Sequence, residues 1–185
     1  MIKLNVGCGN RKIHGFTNID LRPEVQPDVI MDIRKLNEKF KDVDLIYACH
    51  VLEHFPRKPV RDADATYKEV LNNWFDALKE GGTLRMAVPD FQAVCEYYVN
   101  TKDFNSLNWQ SALYGGQKHG FDIHYNIWDW SALKRDLLDV GFRDVRKYDW
   151  RKTEHSFIDD YSQAYLPHMD KVNGKLMSLN VEATK

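Results

Sequence analysis

Three short stretches hold residue types at spacings that suit chemistry. The first is Gly7-Cys8-Gly9, which follows directly on the apolar run of residues 2–6. Glycines there let backbone approach a ligand closely and adopt positive φ. Asp20 and Asp32 each close a later apolar run. A carboxylate in such a place can accept from the hydroxyls of a ribose or from a base amino group. The second stretch is His50-Val51-Leu52-Glu53-His54, two imidazoles and a carboxylate within five residues. The third is residues 117–125, where His119, Asp122 and His124 lie among glycines and aromatics. Groups of these types remove protons from oxygen nucleophiles.

The elements that must position these residues follow from hydrophobic periodicity. Residues 2–6, 16–21, 28–33, 43–48 and 83–88 read as short strands, each bounded by glycine, aspartate or proline. Between the last two lies an amphipathic helix, with Val60, Ala63, Tyr67, Leu71, Trp74 and Leu78 on one face and Gly81-Gly82 at its end. Asp90 is placed to cap a helix that buries Phe91, Val94, Cys95 and Tyr98. Helix is also expected around residues 104–113, broken by Gly115-Gly116. A further helix, capped by Asp129 or Ser131, carries Leu133, Leu137 and Leu138 and closes at Gly141. Residues 142–150 and 176–183 read as the final strands, and the stretch between them has no clear pattern. Strands alternating with helices predict an α/β sheet, and its strand ends are where such folds bind ligands.

Bulk properties narrow the function classes. The 185 residues suit one domain. A net charge of −1 offers no broad basic surface for nucleic acid. Asp144, Asp149 and Glu154 dilute the cluster of Arg143, Arg146, Lys147, Arg151 and Lys152, which reads as a solvated face. Cys8, Cys49 and Cys95 are too scattered for a disulfide scaffold. No apolar run reaches the length of a signal peptide core or a membrane span. The expectation is a soluble, cytoplasmic protein whose partner is a small molecule; oligomeric state is open.

His50 to His54 also fits the H-x-x-E-H pattern of zinc peptidases with inverted motif order. That chemistry needs a sustained helix, and Pro56 ends this one after about a turn. A divalent ion held by His50, Glu53 and His54 is the milder version. No metal is assigned: Glu53 and His54 are expected to order the turn.

The ordered set Leu4-Asn5-Val6-Gly7-Cys8-Gly9, Asn18-Ile19-Asp20, Asp32, Val51-Leu52-Glu53-His54, Leu78-Lys79-Glu80-Gly81-Gly82-Thr83-Leu84 and Val88-Pro89-Asp90 resembles a class I S-adenosylmethionine-dependent methyltransferase. It is most similar to small methyltransferases linked to cell-surface polysaccharide biosynthesis. The resemblance implies a Rossmann-like, doubly wound, mainly parallel seven-stranded sheet with an antiparallel last strand. It implies backbone contacts from Gly7, Cys8 and Gly9 to the methionine part of the cofactor. Asp20 would hold the ribose beside Leu21, Asp32 and Ile33 would meet the adenine, and Cys49 and His50 would line the sulfonium end. Asn5 stands where the family carries an acid, and Arg11 replaces a third glycine. The short spacing from Gly7 to the second strand leaves the first helix reduced.

For an oxygen nucleophile His124 is the preferred base, with His119, Asp122 and His54 as alternatives. Tyr114, Tyr125, Trp128 and Trp130 could stack on an acceptor, though most are expected in the core. The segment Ala48-Cys49-His50-Val51 lacks the double proline of amide- and base-nitrogen methyltransferases. The implied acceptor is a small hydroxylated molecule, such as a glycan precursor. A nicotinamide-dinucleotide oxidoreductase is the rival reading. It needs a third glycine where Lys12 stands and an acid about 20 residues on. A non-catalytic cofactor-binding module is the third.

Overall fold

The computed structural model describes residues 1–60, 65–103 and 107–185. Its main sheet has seven strands in the order β3-β2-β1-β4-β5-β9-β6. They are β1 (Lys3–Val6), β2 (Thr17–Asp20), β3 (Val29–Ile30), β4 (Val43–Cys49), β5 (Leu78–Pro89), β6 (Arg143–Lys147) and β9 (Ser178–Thr184). The first five run parallel, and β9 enters antiparallel between β5 and β6. This is the Rossmann-like methyltransferase architecture, with its one reversed strand last in the chain. A short hairpin, β7 (Tyr165–Leu166) with β8 (Lys175–Leu176), stands apart from the sheet.

Alternation along the strands gives the sheet two different faces. On one, Ile46, Ala48, Leu84, Met86, Val88, Leu179 and Val181 form the main core. The helices α1 (Leu36–Lys39), α2 (Tyr67–Ala77) and α5 (Trp130–Val140) cover it. Trp74 of α2 is fully buried there, and its indole N–H donates to the Ile33 carbonyl at 3.0 Å. On the other face Leu45 and Tyr47 pack against Ile13 and Phe16, while β9 presents Ser178, Asn180 and Glu182. No helix follows β1; the loop of residues 7–16 returns directly to β2, as the short spacing predicts. Cover comes from that loop and from residues 149–163. Arg85 joins Glu182 at 2.7 Å to Glu154 at 2.6 Å, and Tyr47 donates its hydroxyl to Asp160 at 2.7 Å.

Several boundaries differ from the sequence reading. A capping box at Thr66 and Glu69 starts α2, so Val60 lies outside it and is exposed; Ala63 is outside the described residues. Leu78 belongs to β5, not to the helix. The helix α3 (Phe91–Thr101) is capped by Asp90 as expected, yet Phe91, Cys95 and Tyr98 are exposed. It meets Leu166 and Met177 through Ala93 and Val94, with Tyr97 packed alongside. In α5 Leu138 is exposed and Asp136 buried, because Asp136 accepts the indole N–H of buried Trp128 at 2.9 Å. The helix near residues 104–113 is α4 (Leu107–Tyr114), with Phe104 outside the described residues. The last two strands shorten to β6 and β9, and Leu176 joins the hairpin. The three cysteines are free, and no described helix is long and apolar enough to cross a membrane.

Candidate functional site

Two cavities open side by side at the carboxyl ends of β1, β2 and β4, where the strand order reverses between β1 and β4. One holds about 860 Å³ and the other about 910 Å³, both the size of small-molecule sites.

All ten residues expected around a cofactor line the 860 Å³ cavity: Asn5, Gly7, Cys8, Gly9, Asp20, Leu21, Asp32, Ile33, Cys49 and His50. Gly7 has φ +63°, and a Cβ there would lie 2.7 Å from Val51 Cγ2, so only glycine fits. Asp20 accepts from the Gly9 N–H at 2.8 Å and from the Arg22 N–H at 2.9 Å. The glycine turn and the end of β2 are therefore tied through one carboxylate. Asp32 does the same locally, receiving the Arg34 N–H at 3.0 Å and its guanidinium at 2.9 Å. Burial would raise the Asp32 carboxyl, but these Arg34 bonds hold it below its ordinary value. Asp20-Leu21-Arg22 and Asp32-Ile33-Arg34 are thus the same device, used at two adjacent strand ends. Asn5 takes a scaffolding part: its amide donates to Arg11 O and Asn18 Oδ1, both at 2.9 Å. Burial pushes the Cys8 thiol up to about 11 and the Cys49 thiol well above its ordinary value, which disfavours the thiolate at both.

The four candidate bases separate. His119 sits on the cofactor side, its Nε2 facing Arg22 at 3.3 Å. Asp122 accepts from the Gly116 N–H at 3.1 Å and the Lys118 N–H at 3.2 Å, which folds the loop over the cavities. Burial would raise its carboxyl, but those two backbone bonds hold it down. His54 lines both cavities, and His124 lines the 910 Å³ one. Their rings meet edge to face at 4.8 Å. Each donates Nδ1–H to a backbone carbonyl at 2.9 Å, His54 to Ile123 and His124 to Ala112. A carbonyl only accepts, so each neutral ring keeps its lone pair on Nε2. Burial lowers the pKa of His124 and favours this neutral form.

Glu53 lies behind them and is 0% exposed. Its Oε1 is 3.2 Å from His50 Nδ1 and 4.0 Å from His124 Nε2, and among the described residues neither carboxylate oxygen accepts a well-formed hydrogen bond. Burial would raise its carboxyl; the imidazoles of His50, His54 and His124 pull it down instead. His50 faces Glu53 because its backbone is left-handed, φ +53°, an uncommon conformation for a non-glycine residue. Its Nε2 meets Ser178 Oγ at 3.1 Å. The Tyr125 and Asn126 N–H groups donate to Glu53 O at 2.8 and 3.2 Å, and the Asn126 amide donates to Phe55 O. These bonds stitch the segment carrying His124 onto the turn carrying Glu53.

Sequence reasoning missed the far wall. Asp159, Asp160, Tyr161, Tyr165 and His168 line the 910 Å³ cavity, and all come from the stretch that showed no periodicity. The only local signal there is Asp160, which caps the short turn at Tyr161–Gln163. Tyr161 packs its ring 5.4 Å from His50. Of the aromatics proposed to stack on an acceptor, Tyr114 lines this cavity, Tyr125 lines the other, and Trp128 is core.

No protein-family model matches the chain, and no curated protein matches it. Solved structures do. An S-adenosylmethionine-dependent methyltransferase from Archaeoglobus fulgidus superposes with a TM-score of 0.56 at 16% identity, covering 99% of this chain and 85% of that one. One from Mesorhizobium loti gives 0.52 at 14%, covering 100% and 90%. The 1,6-didemethyltoxoflavin-N1-methyltransferase of Burkholderia thailandensis, solved with its substrate and S-adenosylhomocysteine, gives 0.54 at 14%, covering 100% and 70%. At these identities the likeness establishes the fold.

Proposed function

We propose that the chain binds S-adenosylmethionine in the 860 Å³ cavity and methylates a small hydroxylated acceptor, such as a glycan precursor, in the 910 Å³ cavity. The observation that carries this reading is the convergence of the glycine turn, Asp20, Asp32 and Cys49-His50 on one cavity at the switch point of the sheet. The residues present fit the cofactor. Gly7, at positive φ and packed against Val51 where a Cβ would clash, holds the turn that exposes backbone to the cavity, and Asp20 and Asp32 offer carboxylates at the two strand ends beside it. When bound, S-adenosylmethionine supplies a methyl carbon activated by its sulfonium. The protein's own part is to align the acceptor, exclude water and remove a proton.

Gly7, Cys8 and Gly9 present backbone to the amino-acid end of the cofactor. Asp20 accepts from the ribose hydroxyls, with Arg22 paired to its Oδ1 at 3.2 Å, and Leu21 packs beside it. Asp32 and Ile33 meet the adenine. His50 and His54, shared by the two cavities, frame the passage between them. Arg11 and Lys118 line both cavities and make no ion pair among the described residues, so each is free to meet a carboxylate. Proton removal falls to the cluster of Glu53, His54 and His124, since His119 faces Arg22 and Asp122 holds the loop. A nicotinamide dinucleotide finds less here, because no helix N-terminus follows the glycine turn to receive its pyrophosphate.

Calorimetric titration with S-adenosylhomocysteine, with NAD as control, tests the reading. Saturable binding of the former alone is the expected result, and Asp20→Ala should abolish it in a folded protein. Asp20→Asn, which still accepts from Gly9 N–H, should retain part of it. Tighter binding of NAD, or no binding of either, would remove the methyltransferase reading.

A further inference from the structure

We propose that Glu53, His54 and His124 form the binding site of one divalent transition-metal ion, zinc-like in its ligand preference, in the wall between the two cavities. One ligand atom from each of the three lies within 4.8 Å of the others. The set is two imidazoles and one carboxylate, as in zinc sites that keep a fourth position open. His124 replaces His50, which the sequence grouped with Glu53 and His54.

Three independent features point to an ion. The first is the state of Glu53: a fully buried carboxylate whose oxygens accept no well-formed hydrogen bond among the described residues, with only His50 Nδ1, 3.2 Å from Oε1, beside it. Buried polar groups are almost always satisfied, and a buried carboxylate without donors is costly. A cation among Glu53, His54 and His124 satisfies it. The second is the orientation of the imidazoles. Backbone carbonyls of Ile123 and Ala112 take the Nδ1 protons at 2.9 Å, which leaves Nε2 of each ring as the donor atom for a metal. Metal-binding histidines are fixed in this way by a hydrogen bond on the other nitrogen. The third is rigidity. Glu53 O receives two backbone N–H bonds from Tyr125 and Asn126, so the turn and the His124 segment move as one piece. His50 stands 3.2 Å from Glu53 Oε1 and is itself held by Ser178, a positioning residue for the carboxylate.

Ligand atoms of one tetrahedral ion lie about 3.4 Å apart, so the widest pair must close by about 1.4 Å. The open position faces the cavities that His54 lines. There an acceptor hydroxyl bound to the ion would lose its proton more readily, the proton passing to solvent water in the open cavity because the imidazoles, as ligands, would no longer serve as bases. That last role rests on the proposed methyl transfer; the binding of the ion does not.

The test uses the full chain, stripped with a chelator and then titrated with Zn²⁺ by calorimetry. Co²⁺ serves as a spectroscopic probe. The expected result is one ion per chain, with visible d–d bands of Co²⁺ in a low-symmetry N,O site. Glu53→Gln and His124→Ala should each weaken Zn²⁺ by at least about 100-fold and bleach the Co²⁺ bands. His124→Ala leaves the cofactor cavity intact, so retained S-adenosylhomocysteine binding proves that this variant folds. Absence of stoichiometric binding overturns the proposal, and so does an ion whose affinity both variants leave within about twofold. An ion bound without S-adenosylhomocysteine leaves the metal site standing and removes methyl transfer. The reverse result removes the metal site alone.

Discussion

The two cavities share a wall but are built differently. Beneath residues 118–123, the 860 Å³ cavity rests on strand ends: Gly7 after β1, Asp20 on β2, Asp32 after β3, Cys49 on β4. Each of these residues is placed by a sheet whose core is closed on one face by helices. The 910 Å³ cavity is made from connections: the end of α4, the loop of residues 115–124, and residues 159–169. Its walls are held by hydrogen bonds from side chains such as Asp122 and Asp160 more than by buried apolar area. In an α/β fold this divides labour. The sheet fixes the ligand common to the fold, and loops fix the ligand that differs between proteins.

The largest expected effect breaks the first cavity alone. Gly7→Val forces a side chain against Val51 at a left-handed position. S-adenosylhomocysteine affinity should fall by more than about 100-fold, with stability down by roughly 2 kcal/mol, as strained backbone and overpacking together imply. Calorimetry and denaturant unfolding measure the two. If affinity survives, the glycine turn is not the cofactor's cradle.

Asp122→Ala breaks the second cavity. It removes the acceptor of the Gly116 and Lys118 N–H groups, an expected loss of about 1 kcal/mol. Hydrogen exchange should speed up across residues 115–124 and stay unchanged in β1 and β4. Cofactor affinity should drop far less than in Gly7→Val. Equal damage to both sites would mean that the cavities are one unit.

A pH titration sharpens the comparison from the far wall. Burial would raise the Glu154 carboxyl, but its hydrogen bond to Arg85 holds it down at about 2. The folded pKa lies below the ordinary 4.5, so this contribution is present above pH 4.5 and is lost as the pH falls toward 2. Glu154→Gln should therefore lower the thermal midpoint slightly at neutral pH and flatten its acid limb, the variant and the parent converging as the pH falls toward 2. The effect is small, because Glu154 is partly solvated and water screens the pair. A variant with the full acid slope would assign that slope to other carboxylates.

Much of this was legible in order of locality. A glycine turn after an apolar run and an acid at a strand end are signals within a few residues, so Gly7, Gly9, Asp20 and Asp32 could be read directly. The parallel sheet followed from alternation of patterns, and its reversed last strand from the family resemblance. Helix faces were harder. Phe91, Cys95 and Tyr98 have the spacing of a buried stripe, but α3 has few neighbours to bury them. Residues 149–169 have no periodicity, because they cover a polar sheet face by side-chain hydrogen bonds and not by an apolar stripe.

The sequence by itself determined the strand ends and the residues on them, since backbone conformation at glycine and the alternation of strands are local properties. Only the tertiary structure decided that Glu53 is sealed from water between three histidines and that His124, seventy-one residues on, completes its cluster. Burial and proximity are set by packing between distant segments, and no spacing along the chain encodes them.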